Sequence, residues 1–218
     1  MCKNKKSKNV VPNYTLGEEL INSISHGIGA GLSIAGLVLI IIRAHSAIGI
    51  VSSVIYATFM VNLYIISCIY HALSPRLKGK KVLRVLDHSN VLLMVAGTYT
   101  PICLCSIKGI LGWIVFSFVW LITIVAIILN CINIDKYQKL CLACNLFLGW
   151  ASLLLIGNLL KTCSFNGLLL LIIGGVVYTI GAVLYSLGSR YRYVHSLFHI
   201  FILAGSIIHY FFIYFHIV

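Results

Sequence analysis

The chain has 218 residues, 61% of them hydrophobic and only 9% charged, with a formal net charge of +12. A mean hydropathy of +1.05 leaves too little polar surface for a water-soluble domain of this size, so composition places the chain in a membrane. The basic balance invites a nucleic-acid reading, which the positions of the charges then exclude.

The start, MCKNKKSKNVVPNYTLGEEL, carries Lys3, Lys5, Lys6 and Lys8 and reads as a cytoplasmic basic tail over 1–17, ahead of a single membrane domain over 18–218. A basic start before an apolar run is shared with secretory signals. Here Glu18 and Glu19 sit directly before the run, which is full length and lacks the usual small-residue cleavage site, so a retained first helix is expected. About 20 apolar residues cross the hydrocarbon layer as a helix. Windows of that kind fall at roughly 21–42, 47–70, 86–106, 109–130, 140–160, 167–188 and 194–216. They contain glycine and lack an alternating polar face, which suits helices rather than barrel strands. The expected fold is all-α, a polytopic bundle of seven transmembrane helices with short loops, no internal repeat and no soluble domain.

The cations alternate loop by loop. Besides the four lysines of the tail, Arg76, Lys78, Lys80, Lys81 and Arg84 lie between windows two and three, Lys136 and Lys139 between four and five, and Arg190 and Arg192 between six and seven. Only Arg43, Lys108 and Lys161 fall on the other side. By the positive-inside rule the N-terminus is cytoplasmic and the C-terminus outside. The cations then serve as topology signals and contacts to anionic membrane lipids, with no nucleic acid involved.

Along the helices, 19-ELINSISH-26 places Glu19, Asn22 and His26 on one face at i, i+3 and i+7. They read equally as structural support: a first-turn charge favoured by the helix dipole, and hydrogen bonds between helices. The glycines of 27-GIGAG-31 fit close helix packing. The second helix ends in 67-SCIYH-71, with Ser67 one turn deeper than His71. Ser67 read alone is a helix-to-helix hydrogen bond or a bond to its own backbone, and Cys68 is a less favoured soft ligand. The third helix opens 86-LDHSN-90, with Asp87 in its first turn, His88 about 100° around from it, and Pro101 further on as an expected bend. Asp135 reads as a solvated charge in a loop. The cysteines at 2, 68, 103, 105, 131, 141, 144 and 163 read as small packing residues, since CLAC at 141–144 is a lone C-x-x-C without a second pair.

The last window opens with 195-HSLFH-199, two imidazoles one turn apart. Alone, the pair is compatible with bonds to backbone or lipid headgroups. However, the topology brings His71, Asp87, Ser67 and the first-helix residues to the same depth. Ionisable groups inside a membrane are costly and mark function. Three imidazoles suit a tetrahedral metal site, with zinc the first candidate, and His71, His195 and His199 the ligands. The fourth position is open to water, which Asp87 and Ser67 would orient or exchange protons with. His209 stands fourteen residues past His195, about 21 Å along the helix, too far to share the ion. His45 and His216 fall at the outer face.

The pieces GEELINSISHGIGA, SCIYH…LDHSNVLLMVAGTYTP and HSLFH resemble the hemolysin III family, the prokaryotic branch of the progestin and adipoQ receptors that include the adiponectin receptors. The resemblance runs from about Glu18 to the C-terminus. It implies a multi-pass protein of the bacterial cell membrane, with seven helices and a zinc ion near the cytoplasmic side held by His71, His195 and His199. It also places Ser67 and Asp87 beside the water site and Glu19, Asn22 and His26 in a first-helix motif. The adiponectin receptors resemble ceramide-hydrolysing enzymes, which implies a metal-dependent hydrolase of lipid amides or esters. The bacterial branch was named for haemolytic, pore-forming behaviour, which implies a cytolysin. A membrane-homeostasis sensor with structural zinc is a third expectation.

Overall fold

The structure is a computed structural model and describes residues 11–218, so Cys2 and the four lysines of the tail lie outside the described residues. The helices are α1 (Leu16–Arg43), α2 (Ala47–Ala72), α3 (Gly79–Pro101), α4 (Gly109–Ile132), α5 (Ile134–Ala151), α6 (Ile156–Thr162), α7 (Phe165–Leu187) and α8 (Val194–His216). A π-helical turn, Ile102–Ile107, extends α3, and a 3₁₀ turn, Ser152–Leu155, joins α5 to α6. Counted as continuous rods, seven of these are long and apolar enough to cross a membrane, and no strand occurs among the described residues. Large apolar side chains such as Leu16, Ile110 and Leu154 stay exposed on the outside of the bundle, as expected of a surface that meets lipid.

The sequence marks the helix ends. Thr15 and Glu18 form a capping box at α1, while Ser46, Asn133 and Ser164 accept the free N–H groups of Gly49, Lys136 and Gly167. Two rods begin earlier than the apolar windows, at Gly79 and Ile134 rather than near 86 and 140. Hydropathy misses the start of α3 because Lys80 and Arg84 are charged, yet both are buried within the bundle. It misses the start of α5 because Asp135 and Lys136 are charged and exposed. Pro101 has no N–H to continue the ladder, and the turn that follows it widens to π geometry instead of simply bending.

α1 packs between α2 and α8 and runs parallel to α8. At one end the Tyr193 N–H donates to Glu18 Oε1 (2.8 Å), and at the other Arg43 Nε donates to the Tyr214 carbonyl (3.0 Å). Small residues set the close approaches. A β-carbon at Gly29 would lie 2.7 Å from the Tyr64 ring, whereas Gly31 has nothing within 4 Å. Of the 27-GIGAG-31 run, only Gly27 and Gly29 therefore face α2, and the packing role expected of the whole run is confined to them.

Gly29→Val should lower unfolding stability by about 1–3 kcal/mol through overpacking against Tyr64, while Gly31→Ala should leave it unchanged or slightly higher. Thermal unfolding of the purified protein in detergent checks both.

Candidate metal centre

The capped first turn of α1, the last turn of α2, the first turns of α3 and the start of α8 meet at one end of the bundle. This brings His71, His195 and His199 together, all buried, with one ring nitrogen of each within 4.8 Å of the others. No other group of three His, Cys, Asp or Glu side chains meets that condition among the described residues.

Each ring is held by its other nitrogen or by its face. His71 Nδ1 lies 2.6 Å from Glu19 Oε2, and the Asn22 amide is 3.3 Å from the same atom. A carboxylate at that distance accepts from Nδ1–H, so in the neutral imidazole the lone pair is on Nε2. His71 Nε2 is buried and has no hydrogen-bond partner. His199 Nδ1 faces His26 Nε2 at 2.8 Å, and His199 Nε2 lies 3.1 Å from His195 Nε2. Two nitrogens bound to one tetrahedral zinc at 2.0–2.1 Å would be about 3.3 Å apart, so this pair already has the required spacing. The residues fit a metal: a pair of imidazole nitrogens, a third orphaned one and a carboxylate behind it.

Glu19 is therefore more than a first-turn charge. Its Oε1 accepts from Lys80 Nζ at 2.5 Å, and Lys80, fully buried, also donates to the Leu73 carbonyl at 2.7 Å. One carboxylate thus ties α1 to α2 and to α3. Lys80 was assigned above only to the loop charges. Its spacing contains the missed signal, since Lys80, Arg84 and Asp87 share one helix face at i, i+4 and i+7.

Tyr14 is the second residue that pattern reading misses. Its ring stacks on His195 with centroids 4.7 Å apart and an interplanar angle of 15°. Burial and the nearby Tyr70 and Tyr185 hydroxyls push its phenol above the ordinary range, so it is a neutral cover over the triad. No periodic pattern reaches it, because it precedes the helix.

Asp87 lies within electrostatic reach of His71 and Ser67. The Ser67 hydroxyl itself is buried without a hydrogen-bond partner. Cys68 turns away from the triad toward Ser23 and Gly27 on α1. Asp135 is not simply solvated: it accepts from Arg84 at 2.8 Å. Cys141 of CLAC donates to the Ala126 carbonyl, and His209 is bonded to the Leu171 carbonyl far along α8. The opposite half of the bundle also holds buried hydroxyl residues, among them Ser33, Ser52 and Thr100. Their hydroxyls bond to carbonyls of their own helices.

With this geometry in place, the comparisons with known proteins decide the kinship. A family model described as "Haemolysin-III related" matches residues 14–210. The chain belongs to the haemolysin-III-related family. It is 34% identical to Hemolysin-3 of Bacillus cereus over 203 residues, covering 92% of each chain. It is 35% identical to a Hemolysin-3 homolog of Bacillus subtilis (strain 168), covering 88% of this chain and 91% of the other. The human monocyte to macrophage differentiation factor matches at 24% identity over 164 residues, 72% of this chain and 66% of that one. As a haemolysin-III relative with seven apolar rods, the protein is a multi-pass membrane protein, and a plasma-membrane location fits it.

Lys80→Met should cost about 3–5 kcal/mol of stability, because it leaves the Glu19 carboxylate buried without its cation. Adding Glu19→Gln should recover a large part of that loss. Unfolding of the two single variants and the double variant in detergent reads the coupling, and additive losses would show that the pair is not coupled.

Proposed function

We propose that the protein is a zinc-dependent membrane hydrolase of lipid amides or esters, with His71, His195 and His199 as ligands and the triad end facing the cytoplasm. The observation that carries this reading is the buried, unpartnered His71 Nε2, backed through Nδ1 by a carboxylate. Such a backing carboxylate fixes the tautomer and raises the basicity of a metal-binding imidazole. When bound, zinc would polarise the scissile carbonyl and lower the pKa of a water to about 7. Asp87, beside the triad, takes up the proton that is released and passes it to the leaving group. Ser67, whose hydroxyl has no other partner, offers a hydrogen bond on the same side. Glu19 and His26 hold the rings of His71 and His199, and Lys80 balances the charge of Glu19. Nine of the twelve Lys and Arg among the described residues, by loop, fall on the triad side, which supports the orientation.

Two cavities suit a lipid. An apolar one of about 160 Å³ runs between α3, α5, α7 and α8, past Met94, Tyr178 and Phe198. A polar one of about 830 Å³ opens beside His195. They share His88, Gln138, Leu142 and Tyr185 in their walls, so an acyl chain in the first would continue to a polar end in the second.

A cytolysin is the second reading, favoured by the names of the bacterial relatives. A water-filled pore needs polar faces along several helices. The far-half hydroxyls of Ser33, Ser52 and Thr100 instead bond to carbonyls of their own helices. Those of Ser53 and Tyr56, which have no hydrogen-bond partner, are fully buried rather than lining an open channel, which favours a site over a pore. A membrane-homeostasis sensor with structural zinc keeps the same ligands and differs only in lacking turnover.

Purified protein should carry about one zinc per chain, as a three-histidine site requires, and His195→Ala should lose nearly all of it; equal zinc in the variant would refute the ligand assignment. Asp87→Asn should keep the zinc and lose about 10²-fold or more of hydrolysis on ceramide-like or phospholipid substrates. Dye leakage from liposomes with no zinc-dependent product would favour the cytolysin.

A further inference from the structure

The polar cavity beside His195 has an unusual charge balance. Lys139 of α5 and Arg190 and Arg192 of the α7–α8 connection reach its wall from separate segments, together with Arg84 of α3. The chain has only four acidic residues, and three of them, Glu19, Asp87 and Asp135, lie outside the cavity wall. Glu19 meets Lys80 and His71, and Asp135 meets Arg84. Glu18, the one acidic residue in the cavity wall, accepts from Thr15 and from the Tyr193 N–H and feels Arg192 at longer range. Asp87 lies within electrostatic reach of Ser67 and His71. Lys139 and Arg190 take part in none of the ion pairs among the described residues.

Loop cations at this end also serve as topology signals, and that role alone would scatter them over the surface. Arg76 and Lys78 are of that kind: exposed like Lys139, Arg190 and Arg192, they line neither of these two cavities. Lys139, Arg190 and Arg192 instead ring one concavity that joins an apolar cavity through shared walls and includes a triad histidine. Its volume of about 830 Å³ is that of a ligand pocket. Tyr70, Tyr185 and Ser186 add hydroxyl donors to the same wall.

We propose that this cavity binds the phosphate of an anionic ligand, as carried by a phospholipid headgroup. Arginine and lysine from two segments converge on the dianion, and the apolar cavity between α3, α5, α7 and α8 takes the start of one acyl chain. This rests on the lipid-hydrolase reading for the purpose of the site but not for the binding itself. A phosphate-bearing lipid then presents its linkage beside His195, and a neutral lipid of the same chains lacks the anchor.

The test is equilibrium binding of a short-chain phosphatidic acid and of the matching diacylglycerol to the full chain in an uncharged detergent. Lys139→Gln/Arg190→Gln should weaken phosphatidic acid binding roughly tenfold or more, as loss of two cations implies, and leave diacylglycerol unchanged. The charge-matched Arg76→Gln/Lys78→Gln should change phosphatidic acid binding less than about twofold if the cavity, rather than overall charge, is responsible. Equal losses in the two pairs, or no loss in the first, would overturn the proposal. Binding that persists in His195→Ala separates the headgroup site from the metal, so failure of hydrolysis would not be mistaken for failure of the site. Inorganic phosphate should displace the lipid only far above the lipid's own dissociation constant. Displacement at equal concentration would assign the site to free phosphate and overturn the lipid source.

Discussion

A carboxylate drawn out of water must be met by positive charge or hydrogen bonds, and Glu19 shows how this bundle end is organised around that need. One oxygen takes the ammonium of Lys80 and the other takes the Nδ1–H of His71. The pairing fixes three things together. It holds α1, α2 and α3 at one spacing, it directs Nδ1–H of His71 to the carboxylate, and it leaves Nε2 of that ring without a partner. The free nitrogen is a consequence of a structural ion pair. The metal-binding reading follows from the same contact that holds the helices.

Around this contact the other histidines divide by what their second nitrogen can reach. His199 is backed by His26 from α1. His195 has no such bond but is covered by the flat face of Tyr14. His209, on the same helix as both, is tied to a carbonyl of α7 and has no part in the cluster. Position along α8 decides the role of each imidazole, since residue type is the same in all three cases.

The fold was legible because lipid makes hydropathy the dominant signal: an apolar window of about 20 residues has few alternatives to a helix. The triad was legible because histidines near helix ends at one depth are expensive and therefore informative. Other features resisted for stated reasons. The first turns of α3 and α5 carry charges or polar caps and fall outside any hydropathy window. Lys80 was hidden among topology cations, since a sequence does not distinguish a lysine in solvent from one folded under the bundle. Tyr14 belongs to no helix, so periodicity had nothing to say about it. The widening at Ile102–Ile107 and the 3₁₀ turn at Ser152–Leu155 depend on packing between helices, which local pattern does not encode.

The central claim is that Glu19, His26 and Tyr14 present three imidazoles to a single ion. X-ray absorption at the zinc edge of the purified, zinc-loaded protein tests it most directly. Imidazole nitrogen scattering from three histidines at about 2.0 Å, with one further light atom and no sulfur, is the expected result. A sulfur shell at about 2.3 Å, or zinc without imidazole scattering, would contradict it.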